Sequence, residues 1–84
     1  MKRCIVITGG GRGIGRATAI ELADVGLPVV INYHSRRDSA EKTMESIKAR
    51  HGQALMYQAD VSDPQEVEKM FNWIKSQNYW PYAL

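Results

Sequence analysis

The run Thr8-Gly9-Gly10-Gly11-Arg12-Gly13-Ile14-Gly15 is where residue types and spacing point most directly to chemistry. Five glycines within seven positions exceed what a tight turn needs. Backbone without Cβ atoms lets a phosphate come close, and the free N–H groups and positive dipole end of a helix starting here would favour the anion. Arg12 adds a guanidinium able to grip a phosphate through two parallel hydrogen bonds. The pattern G-x-G-x-x-G is not met in any frame, since Gly11-Arg12-Gly13 would need a glycine where Arg16 stands. The P-loop pattern fails too, because Gly15 is followed by Arg16-Ala17 in place of Lys and then Ser or Thr. A phosphotransferase reading falls with it.

Ahead of this loop, Cys4-Ile5-Val6-Ile7 is a β-branched, non-alternating run, the pattern of a strand buried on both faces. Ile14, Ala17, Leu22 and Val25 follow at helical spacing, and Gly26 stands as a helix stop. Pro28 to Tyr33 repeats the buried-strand pattern. A polar loop from His34 to Asp38 leads to Ala40, Met44 and Ile47 at i, i+4 and i+7, with Gly52 as the expected stop. Residues 54–59 read as a third strand. Ser62-Asp63-Pro64-Gln65-Glu66 then supplies a cap, a first-position proline and an acidic first turn for a helix carrying Val67, Met70, Phe71 and Ile74. Gln77 to Tyr82 has no clean period and contains Pro81, so residues 77–84 are expected to form an irregular tail.

The order βαβαβα with short connections predicts an α/β fold, half of a doubly wound Rossmann architecture, with a three-stranded parallel sheet in the order 3-2-1 over residues 1–76. In such a fold the end of the second strand reads the adenosine ribose, and an acid there accepts bonds from the 2′-hydroxyl of NAD while repelling the 2′-phosphate of NADP. Asn32 is neutral, and His34, Ser35, Arg36 and Arg37 follow it. With Arg12 they are expected to surround a 2′-phosphate, which favours NADP over NAD. Arg36 and Arg37 also fit an ordinary solvated loop.

The glycine run matches Thr-Gly-x-x-x-Gly-x-Gly, and the chain resembles the short-chain dehydrogenase/reductase family. Asn32-Tyr33 at the end of the second strand, Asp60-Val61 at the end of the third and the capped helix from Asp63 extend the resemblance over roughly residues 3 to 76. It is most similar to 3-oxoacyl-(acyl carrier protein) reductases and glucose dehydrogenases. The resemblance implies that Gly9, Arg12 and Ile14 approach a dinucleotide cofactor, that Thr8 and Gly13 shape the turn, and that Asp60 and Val61 contact the adenine. It also implies NAD(P)-dependent reduction of a carbonyl or oxidation of an alcohol. The family's later catalytic Ser and Tyr-x-x-x-Lys are missing from these residues, so they are expected to be inactive alone. A non-catalytic nucleotide-binding or interaction module is the alternative. Because the family pairs its first strand with a fourth, absence of that strand would leave an exposed edge for self-association.

Tyr33 and Arg37 stand four apart like the family's catalytic pair but begin at a strand end and lack the lysine. His34 and His51 have no further ligand at metal spacing, and Cys4 in a buried strand reads as inert packing. Eleven Lys and Arg against nine Asp and Glu lack the dense basic stripe of a nucleic-acid binder. The apolar run from Cys4 ends at Ile7, too short for a membrane span or signal peptide. One cysteine allows no internal disulfide, and cytoplasm is the expected compartment.

Overall fold

A computed structural model of the chain describes residues 1–9 and 13–83. Gly10, Gly11 and Arg12 of the glycine run lie outside the described residues. The elements run β1 (Lys2–Thr8), α1 (Gly13–Asp24), β2 (Val29–Tyr33), α2 (Arg37–Ala49), β3 (Ala54–Gln58), α3 (Pro64–Ser76) and β4 (Tyr79–Ala83). The strands form one sheet in the order β3-β2-β1-β4, with every pairing parallel.

All five residues of β2 are buried, which is why its sequence does not alternate. Ile7, Val29 and Ile31 pack on one face with Ala19 and Ala23 of α1 and Ala40 and Ile47 of α2. On the other face Cys4, Val6 and Val30 meet Met70 and Ile74 of α3. The small side chains Ala19 and Ala23 let α1 approach the sheet closely. Asp63 caps α3 by accepting from the Gln65 amide at 2.9 Å, and Pro64 takes the first helical position, as the sequence predicts.

The stop of α2 differs in detail from expectation. His51 adopts the left-handed conformation (φ 65°), while the Gly52 amide donates back to the Ile47 carbonyl at 2.9 Å. Gly52 is required by packing, because a Cβ there would lie 2.7 Å from Ile47 Cγ2 and 3.2 Å from Ala23 Cβ.

The larger correction concerns the predicted three-stranded sheet and irregular tail. Residues 79–83 form a fourth strand, β4, pairing with β1 from Lys2↔Tyr79 to Val6↔Ala83. The chain reverses after α3 through Asn78, whose φ of 68° and N–H bond to the Lys75 carbonyl at 2.9 Å close the helix. Pro81 is tolerated because β4 is an edge strand, where a missing donor costs little. The expected self-association through a bare edge of β1 loses its basis, since β1 is paired on both sides. On the outer strand Trp80 and Tyr82 remain half-exposed, with Lys75 Nζ 5.2 Å from the Trp80 ring centroid and the Arg3 guanidinium 5.7 Å from that of Tyr82.

Candidate functional site at the carboxyl ends of the strands

Because the sheet is parallel, Thr8 and Gly9, Asn32 to Arg36, and Asp60 and Val61 all emerge at the same edge, following three adjacent strands. Strand order reverses between β1 and β4, and the glycine run begins at that switch point, where open α/β sheets bind ligands. Gly9 and Gly13 take φ of 67° and 62°, backbone that only glycine adopts without strain, and among the described residues a Cβ on either would meet nothing within 4 Å. The first turn of α1 carries no acidic residue to oppose an anion. Ile14 in that turn is 87% exposed and Val61 50%, two large apolar side chains left uncovered at positions where the family pattern places cofactor contacts. These features fit a dinucleotide phosphate bridge with an adenine to one side.

Hydrogen bonds stitch the ends of the three strands into a seam. The Gly9 amide donates to the Asn32 carbonyl at 3.2 Å, and the Ala59 amide donates to the Tyr33 carbonyl at 3.0 Å. Asn32 Nδ2 donates to the carbonyls of Tyr57 at 3.3 Å and Ala59 at 3.2 Å. Asn32 is 3% exposed, so the side chain expected to sense the ribose instead straps β2 to β3. Gln58 Nε2 holds the next loop by donating to the His34 carbonyl at 3.0 Å.

Ser35 and Arg36 are exposed beyond this seam. Arg36 Nε lies 3.9 Å from Asp38 Oδ1, a loose contact between exposed side chains. Arg37 is committed elsewhere: Nε donates to Glu41 at 2.7 Å and Nη1 to the Tyr33 hydroxyl at 3.4 Å, and these partners raise its pKa. Of the two arginines, Arg36 has the looser tie.

Asp60 Oδ1 accepts from the Ser62 hydroxyl at 2.6 Å and its amide at 2.9 Å, which hold the carboxyl below its ordinary range, with His34 adding a smaller effect. Its own amide donates to Glu66 Oε1 at 3.0 Å. Asp60 therefore organises the turn into α3, while Asp63 makes the cap.

Two residues at this edge escape sequence reasoning. Arg16, noted there only for breaking two motifs, sends Nε to Thr43 Oγ1 at 3.0 Å and Nη2 to the Ser39 carbonyl at 3.3 Å, tying α1 to α2. The available signal was Thr43, a hydroxyl on the apolar stripe formed by Ala40, Met44 and Ile47. A cleft of about 280 Å³ lined by Cys4, Pro28, Lys48 and Tyr79 lies at the opposite, amino-terminal edge of the sheet and shares no residue with the seam. Burial there pushes the Cys4 thiol up, in keeping with its reading as packing. Among the described residues no helix is long and apolar enough to cross a membrane.

A glycine-bearing strand end at the switch point of a parallel sheet, followed by a helix with no acid in its first turn, is the arrangement of a doubly wound α/β fold. Residues 3–79 match the sequence profile of the short chain dehydrogenase family, and the chain belongs to that family. It is 48% identical over 65 residues to versicolorin reductase 1 of Aspergillus parasiticus, covering 77% of this chain and 25% of that protein. It is 39% identical over 77 residues to the 3-oxoacyl-[acyl-carrier-protein] reductase FabG of Staphylococcus epidermidis, covering 92% and 32%. Among solved structures it is similar to YwfH, an NADPH dependent reductase involved in bacilysin biosynthesis, with TM-score 0.81, 34% identity and coverage of 92% and 31%. The chain thus spans between a quarter and a third of these relatives.

Proposed function

We propose that these residues are the cofactor-binding part of a short chain dehydrogenase-type oxidoreductase and that they take NADP in preference to NAD. The observation that carries this reading is the hydrogen-bonded seam, which sets the glycine turn, the loop from His34 to Arg36, and Asp60-Val61 along one edge. The glycine run and the amino end of α1 bind the phosphate bridge, with Arg12 as its side-chain donor. Ser35 and Arg36 meet the 2′-phosphate, and no carboxylate stands at the end of β2 to repel it. Asp60 and Val61 flank the adenine. When bound, the nicotinamide supplies or accepts a hydride, and the whole protein would use it to reduce a carbonyl or oxidise an alcohol. A reducing, cytoplasmic setting suits the single buried thiol.

Titration calorimetry of the purified chain with NADP and NAD tests the reading. Tighter NADP binding, by about tenfold for one charge-assisted contact, is the expected result. Equal or stronger NAD binding overturns the preference, and binding of neither overturns the assignment of the site.

A further inference from the structure

We infer that Arg16, Thr43 and the Ser39 carbonyl form a latch that positions the 2′-phosphate subsite and thereby sets the strength of NADP preference. The inference rests on the cofactor reading above and deepens it.

The latch lies between the two loops a dinucleotide must bridge. Arg16 stands in the first turn of α1, directly after the glycine run, and Ser39 in the first turn of α2, directly after the loop carrying Ser35 and Arg36. One guanidinium uses two of its donors at once, Nε on Thr43 Oγ1 at 3.0 Å and Nη2 on the Ser39 carbonyl at 3.3 Å. Thr43 Oγ1 in turn donates to that same carbonyl at 3.2 Å. Thr43 is fully buried and Ser39 nearly so, at 0% and 8% exposure, so the acceptors are fixed while the guanidinium reaches them from the neighbouring helix. A planar fork is required, because a lysine ammonium is a point donor on a flexible stem.

The first turn of α2 is tied to β2 by Arg37, whose Nη1 donates to the Tyr33 hydroxyl at 3.4 Å, and to α1 by the latch. Arg36 occupies the N-cap position with φ −109° and ψ 66°, and no side chain caps the helix there. The direction in which Ser35 and Arg36 leave β2 is therefore set at one end by the seam and at the other by the latch and Arg37. Arg16 acts through the turn it holds, as a positioning residue. Its effect falls on the group that contacts this turn, the 2′-phosphate, and much less on the pyrophosphate, which the glycine run holds. A tie serving stability alone would weaken both cofactors alike.

The test compares NADP and NAD affinities of the wild-type chain with those of Thr43→Val, Thr43→Ser and Arg16→Met, by calorimetry at one fixed ionic strength. Thr43→Val keeps the shape and removes the acceptor, Thr43→Ser keeps the acceptor, and Arg16→Met keeps the apolar stem. Expected are a loss of about 3- to 10-fold in NADP affinity for Thr43→Val and Arg16→Met, corresponding to one or two hydrogen bonds, with NAD changed less than about twofold. Thr43→Ser should retain the wild-type ratio. Should Thr43→Val fail to fold, Arg16→Met alone decides, supported by hydrogen exchange, in which the amides of Ser39 and Ala40 should exchange faster than those late in α2. Equal loss for both cofactors, or an unchanged ratio in Arg16→Met, overturns the latch while leaving the cofactor reading intact. A wild-type chain that binds neither cofactor overturns both.

Discussion

Asn32 shows how one atom's partners reassign a residue. Its amide nitrogen faces two carbonyl oxygens inside the sheet, and an aspartate there would put negative charge against both with no proton to share. Asn32→Asp is therefore expected to destabilise the fold by about 2–3 kcal/mol, seen as a lower urea midpoint, rather than to switch cofactor preference. A variant of unchanged stability that prefers NAD would restore Asn32 to the ribose pocket. Asp24 and Arg50 form a two-pronged surface pair, with Oδ1 2.9 Å from Nε and Oδ2 2.6 Å from Nη2. The hydrogen bonds to Arg50 depress the Asp24 pKa, so their stabilising effect is present above the unfolded carboxylate pKa and is lost as pH falls through the folded one. Wild type should lose more stability than Arg50→Gln between about pH 5 and pH 2. The difference should be small and shrink in about 1 M salt, because both groups are exposed. Parallel acid limbs for the two proteins would show the pair to be inert.

At the scale of elements, β4 decides how well β1 is protected. Cys4 lies opposite Pro81 in the ladder and is 1% exposed, shielded by α3 on one face and by β2 and β4 along its sides. A chain ending at Ser76 would leave one side of β1 unpaired. It is expected to react with a thiol reagent about tenfold faster or more, reflecting opening that costs at least about 1.4 kcal/mol less, and to self-associate in sedimentation. Identical thiol kinetics in the two chains would mean that β4 adds nothing to the sheet. The sequence signs of β4 were present but in conflict: Tyr79, Trp80 and Tyr82 favour strand, whereas Pro81 argues against one. Only the open side of β1 resolves the conflict, and that partner lies more than seventy residues away in sequence.

For the molecule as a whole, cofactor binding and chemistry should separate. None of the four tyrosines has a lysine four residues later, so these residues lack the proton donor pair that the family resemblance implies. Help from a general acid is typically worth about 10²–10⁴-fold. Purified chain supplied with NADPH and acetoacetyl thioesters, sugars or simple ketones is expected to oxidise no cofactor above background. Turnover that survives purification and vanishes in Gly13→Asp, which places a carboxylate in the phosphate turn, would reveal a catalytic group within these residues.

The sequence by itself determined the three βα units, the cap of α3, the glycine turn and the family, because these depend on periodicity and on residue types within a few positions of one another. Helical spacing of Val67, Met70, Phe71 and Ile74 and the unbroken apolar run of β2 are properties of neighbours. Tertiary structure alone decided the fourth strand, the inward strap made by Asn32, and the bond from Arg16 to Thr43. Most of these join residues about 25 or more positions apart, such as 27 for Arg16 and Thr43. No local period encodes such a pairing; it exists once the parallel sheet brings the ends of its strands and helices to one edge.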